Sequence, residues 1–154
     1  MHVSPLFRKL NLGAGTAIHV LDAPASFDAE LALLAGVTVK RSVRGESAFA
    51  LAFVVTQRQL DTASTLLATA CAGDAVLWMA YPKGTSRRYR CEFDRDSGWG
   101  VLAASGFEPV RVVAIDEDWS ALRFRRVEYI RTMTRSTSNA ISAKGKQRAR
   151  STDQ

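Results

Sequence analysis

Two uninterrupted apolar runs dominate the chain, at residues 48–55 and 75–81. Strands of this kind are buried on both faces, as in the middle of a sheet covered by helices. Shorter apolar segments predict three further strands, at residues 16–21, 37–39 and 110–115. Residues 119–127 alternate instead, with Leu122 and Phe124 opposed to Arg123 and Arg125. That period suits an antiparallel edge hairpin with one solvated face, turning through Asp116 and Asp118.

Helices are predicted between the strands. Ser4-Pro5 opens a short capped helix over residues 6–10, and Gly13 and Gly15 turn the chain into the first strand. A second helix follows Phe27, carries Asp28 and Glu30 in its positive first turn, and runs to about Ala35. Thr56 and Gln59 form a capping box, after which Leu60, Ala63, Leu67 and Cys71 share one face. A fourth helix is expected over residues 94–105, burying Trp99, Leu102 and Ala103. Strands alternating with helices and closed by an antiparallel hairpin predict an α/β three-layer sandwich. Its sheet is mostly parallel and Rossmann-like, with the hairpin ending of methyltransferase-like domains. The folded domain is expected to span residues 1–130.

Composition changes this picture in one respect. The net charge of +6 belongs mostly to the end of the chain. Residues 131–154 hold six Lys or Arg against Asp153, while the preceding body is nearly balanced. That tail has almost nothing to bury, so it is expected to be disordered and to touch nucleic acid weakly at most. No membrane span or signal peptide pattern is visible, and Cys71 and Cys91 lack metal-ligand spacing. A cytoplasmic protein with reduced thiols and no membrane contact is the expectation.

In open α/β sheets ligands sit beyond the carboxyl ends of the strands. A dinucleotide or nucleoside cofactor needs glycines directly after the first strand. Asp22, Ala23 and Pro24 stand there, and Lys40 and Arg41 occupy the place of a ribose-binding acid. No cofactor is therefore expected. The segment after the fourth strand offers Lys83, Gly84, Thr85 and Ser86, followed by Arg87, Arg88 and Arg90. Its order is not that of a P-loop, and its charges are expected to pair with Glu92, Asp94 and Asp96. Asp116, Glu117 and Asp118 are consecutive carboxylates, which suit a polar turn better than a metal cage, with Trp119 packing on the sheet. With only His2 and His19 present, neither a zinc site nor a Ser-His pair is expected. Cys91, in a basic loop, is expected to have a lowered pKa.

Four segments carry a resemblance: residues 21–27 (LDAPASF), 77–86 (LWMAYPKGTS), Arg95-Asp96, and 113–125 (VAIDEDWSALRFR). Over residues 4–126 the chain resembles a family of small bacterial proteins of the domain-of-unknown-function kind. The resemblance implies a single, truncated methyltransferase-like Rossmann domain without the glycine-rich loop, and no particular activity. The family pattern has Asn where this chain has Asp22.

The leading reading is a non-catalytic Rossmann-like domain binding a small anionic ligand or a protein partner. No catalytic or metal residues are assigned. Lys83 would supply a point charge, and Thr85 and Ser86 hydroxyls and amides. Asp22 would accept from a ligand hydroxyl, Pro24 would stiffen its turn, and Asp116 would close the site. The alternatives are a diverged S-adenosylmethionine-dependent methyltransferase, or an inert domain tethered to nucleic acid by its tail.

Overall fold

The computed structural model describes residues 4–130. The expectations for the basic tail lie outside the described residues. Among the described residues six strands form one sheet: β1 (Ala17–Leu21), β2 (Thr38–Lys40), β3 (Phe49–Phe53), β4 (Val76–Pro82), β5 (Phe107–Ala114) and β6 (Trp119–Arg126). Their order is β2-β1-β3-β4-β6-β5. β1 to β4 are mutually parallel, and β6 runs antiparallel to both β4 and β5. The sheet is therefore mostly parallel and ends in an antiparallel hairpin, as the apolar pattern predicts. The alternating strand β6 is not the edge. It lies between β4 and β5, and β5 forms the rim.

Among the described residues four α-helices cover the two faces: α1 (Pro5–Lys9), α2 (Asp28–Leu31), α3 (Gln57–Ala70) and α4 (Gly100–Ala104). Strand β3 shows how the faces are divided. Phe49, Leu51 and Phe53 join Phe7, Leu10 and Phe27 from the α1 and α2 side. Ala50 and Ala52 point the other way, toward Leu60 and Leu67 of α3 and Leu102 of α4. The period-two alternation thus sets large side chains against short helices and small ones against the long helix. Among the described residues no helix is long and apolar enough to cross a membrane.

Local chemistry accounts for the helix ends. The Ser4 hydroxyl accepts from the Phe7 amide at 3.1 Å, and Pro5 occupies the first helical position. Thr56 and Gln59 form the predicted reciprocal capping box on α3. Two helices are shorter than their sequences suggest. The segment before α2 is a single 3-10 turn, Ala25–Phe27, and α2 itself has one turn. Helix α4 begins six residues later than predicted because Gly98 adopts φ 97°, which no right-handed helix contains. Before it, the Asp94 carboxylate accepts from the Asp96 amide at 2.8 Å and the Ser97 hydroxyl at 3.0 Å, closing a turn.

The result is a long connection. Residues 83–99 contain no helix or strand beyond an isolated bridge between Asp94 and Ser97. Structureless loops longer than about 12–15 residues are uncommon inside a compact fold, and those that are ordered commonly carry function.

Candidate functional site

This connection encloses a cleft of about 1070 Å³ beyond the carboxyl end of β4. Lys83, Gly84, Thr85 and Ser86 form one side, residues 87–95 and Ser97 most of the rest, with Tyr81 and Pro82 at its base. The first side is tied to the β5–β6 turn. The Lys83 amide donates to the Asp118 carbonyl at 2.8 Å, and the Ser86 hydroxyl donates to the Asp118 carboxylate at 2.8 Å. Ser86 also accepts from the Tyr89 amide at 3.2 Å, and the Tyr89 ring packs on Trp119 at 4.8 Å. Trp119 rests in turn on Phe53, with centroids 5.1 Å apart.

The second side is anchored to the start of α3. The Glu92 carboxylate accepts from the Gln57 amide at 2.9 Å, where the helix N-terminus favours negative charge. The Gln57 side chain donates to the Gly98 carbonyl at 2.8 Å. Tyr81, Phe93 and Trp99 form an aromatic triad behind this wall, with centroids 5.2–6.1 Å apart. The Trp99 indole N–H donates to the carbonyls of Asp94 and Arg95.

The electrostatics are one-sided. Lys83, Arg87, Arg88, Arg90 and Arg95 line the cleft against Glu92 and Asp94. The expected pairing of these cations with Glu92, Asp94 and Asp96 does not form. Glu92 serves the α3 amide, and Asp94 serves the Asp96 amide and Ser97, which hold its carboxyl below the usual range. Arg88 reaches Asp118 at 3.8 Å, whereas Lys83, Arg87, Arg90 and Arg95 make no ion pair with a described residue. The predicted low pKa of Cys91 is also corrected. Burial pushes its thiol up, and Asp94 and Glu92 add to the rise, against a hydrogen bond with the Phe93 backbone that lowers it. Cys71, buried behind α3, is pushed up to about 11 by burial.

The sequence-predicted residues divide into two groups. Lys83, Thr85 and Ser86 line the cleft. Ser86 has its hydroxyl proton on Asp118 and its amide on the Lys83 carbonyl, so it builds the loop. Asp22 and Pro24 follow β1, separated from β4 by β3, and do not line the cleft. Asp22 stands at φ 56°, a left-handed conformation usually left to glycine or Asn/Asp. Asp116 also stays outside. Its carboxylate accepts from the amides of Asp118 and Trp119, shaping the turn that presents Asp118. Among the described residues no group of three His, Cys, Asp or Glu side chains could hold a metal.

His19 lies apart from the cleft, where its Nδ1 meets the Ser47 hydroxyl at 2.7 Å. Because Ser47 donates to the Phe49 carbonyl, Nδ1 is the donor to Ser47. Burial, and then Lys40, lower the His19 pKa. The unfolded chain therefore binds the proton more readily, and stability from neutral His19 is present above about pH 6.5 and lost as pH falls below it. Urea midpoints should drop between pH 7 and pH 5 in the wild type, and less steeply in His19→Gln. Parallel profiles would show that other groups govern the acid limb.

No family model and no curated protein matches the chain. Among solved structures, it is similar to the N-methyltransferase NodS from Bradyrhizobium japonicum WM9, at 15% identity. That match covers 77% of this chain and 91% of the other, with a TM-score of 0.46.

Proposed function

We propose that the domain binds a small anionic molecule, a nucleotide or phosphorylated metabolite, in the cleft beyond β4. The observation that carries this reading is a set of cations that make no ion pair with a described residue. Lys83, Arg87, Arg90 and Arg95 face a common space, while Glu92 beside them accepts from the Gln57 amide and Asp94 from the Asp96 amide and the Ser97 hydroxyl. Cations gathered around a concave site raise the local concentration of anions. Lys83 emerges at the carboxyl end of a central strand, where its amide is fixed by Asp118. It supplies the point charge on one side of the cleft, while the arginines steer and clamp.

The test is calorimetric titration of nucleotides and phosphorylated metabolites into wild type and Lys83→Ala. A ligand that binds wild type should lose about tenfold or more in affinity, ~1.4 kcal/mol, since hydrogen bonds to charged groups are worth at least that. Equal affinity in the two proteins would place the site elsewhere. The same panel includes S-adenosylmethionine, which should leave the melting temperature unchanged. A saturable upward shift would favour the methyltransferase reading over this one.

A further inference from the structure

We propose a second anion site, on the sheet face that carries Arg111 and Arg123, taking a phosphate-type dianion between the two guanidinium groups. Arg111 of β5 stands directly opposite Arg123 of β6 in the ladder. Directly opposed residues have Cβ atoms about 4.5–5.5 Å apart, and like charges so placed repel. Arg125 lies two residues further along the same face of β6.

The carboxylates around this trio are unequally shared. Arg125 takes both oxygens of Asp74, through Nε at 3.0 Å and a terminal nitrogen at 2.6 Å. Glu108, opposite Arg125, is wholly buried. Arg111 and Arg123 make no ion pair with a described residue. Arg123 is moreover half-buried, and its Nε is shut off from solvent with no hydrogen-bond partner. Burial, then the charge of Arg125 and to a smaller extent that of Arg111, weaken its hold on the proton relative to an ordinary arginine, against the opposing attraction of Asp74.

A buried, unpaired donor beside like charge is costly unless something binds there. Two guanidinium groups without an ion pair to a described residue carry two charges, which a phosphate dianion neutralises and a single carboxylate does not. The place is distinct from the cleft. Asp74 precedes β4 and Arg123 pairs with Trp78 in mid-strand, whereas the cleft opens beyond Pro82.

Inorganic phosphate is the probe, titrated at constant ionic strength against chloride. The side-chain Nε–H signal of Arg123 should shift saturably with phosphate and stay unmoved by chloride. The response should persist in Lys83→Ala, which separates it from the cleft. Arg111→Gln, an exposed change, should weaken the phosphate response at least tenfold. Arg123→Met should melt higher than wild type in chloride, and phosphate should narrow or reverse that order. An Arg123 signal that ignores phosphate, or a response lost in Lys83→Ala, overturns the proposal. So does an Arg123→Met protein that melts lower than wild type in chloride, because the arginine would then be structural.

Discussion

Replacing Gly98 by alanine should both destabilise the fold and deform the cleft. A Cβ at this position would stand 2.6 Å from the Phe93 Cβ and 2.8 Å from the Gln57 Oε1. Neither neighbour is the free end of a loose side chain. Phe93 is held against Tyr81 and Trp99, and Gln57 is fixed by the Gly98 carbonyl and Asp61. The positive φ of 97° adds backbone strain of about 1–2 kcal/mol for a residue with a side chain. Overpacking adds about 1–3 kcal/mol. The sum, roughly 2–5 kcal/mol, corresponds to a fall in melting temperature of several degrees. Because Phe93 lines the cleft and Gln57 braces it, affinity for any ligand of the cleft should fall as well. Thermal melts and calorimetry check the two halves. A variant within about 0.5 kcal/mol of wild type, the range of ordinary surface changes, would show that the wall yields easily.

The strands were legible because burial on both faces leaves an unbroken apolar run, and β3 and β4 have that pattern. The capping box on α3 was legible because Thr56 and Gln59 act within one turn. The truncated α4 was not, because its apolar period continues through Trp99 while Gly98 and the Asp94 turn hold the backbone out of the helix. The position of β6 was hidden for a different reason. Arg123 and Arg125 alternate with core residues as they would on an edge strand, yet both are half-buried on an interior strand whose same face puts Trp119 and Ala121 in the core.

The candidate site was half legible. Lys83 follows a buried strand, and the rule that ligands gather at carboxyl ends points to it directly. Asp118 joins the site through contacts 32 residues away in sequence, and no local pattern distinguishes it from Asp116. Arg126 is a similar case. Its guanidinium donates to the Ala68 and Cys71 carbonyls at the end of α3 and lies 4.5 Å over the Phe107 ring. These long-range pairings depend on strand order, which periodicity does not encode. The opposite error concerned Glu92 and Asp94. Charge proximity in sequence suggested ion pairs, yet backbone amides claimed those carboxylates and left the arginines facing the cleft.

Replacing Trp78 by alanine should cost as much stability as any single change in the protein, yet leave the cleft's chemistry intact. Trp78 is fully buried in mid-β4, and its indole N–H donates to the Leu10 carbonyl at 2.8 Å. That bond fastens the end of α1 to the sheet, where Phe7 and Leu10 complete the core. Deleting a buried tryptophan costs about 3–5 kcal/mol through lost burial and the cavity left behind. Leaving the Leu10 carbonyl unpaired adds about 1–3 kcal/mol. Trp78→Phe keeps most of the apolar contact, so its smaller loss isolates the hydrogen bond. The side chain lies on the α1 face, whereas Tyr81, Phe93 and Trp99 pack on the α3 face. Amide exchange should therefore quicken in α1 first, while ligand affinity of Trp78→Phe stays within about twofold of wild type. The contrast with Gly98→Ala is the informative part, since both changes destabilise and only one reaches the cleft. A Trp78→Phe protein with strongly weakened binding would mean that the cleft depends on the whole sheet and not on the 83–99 connection.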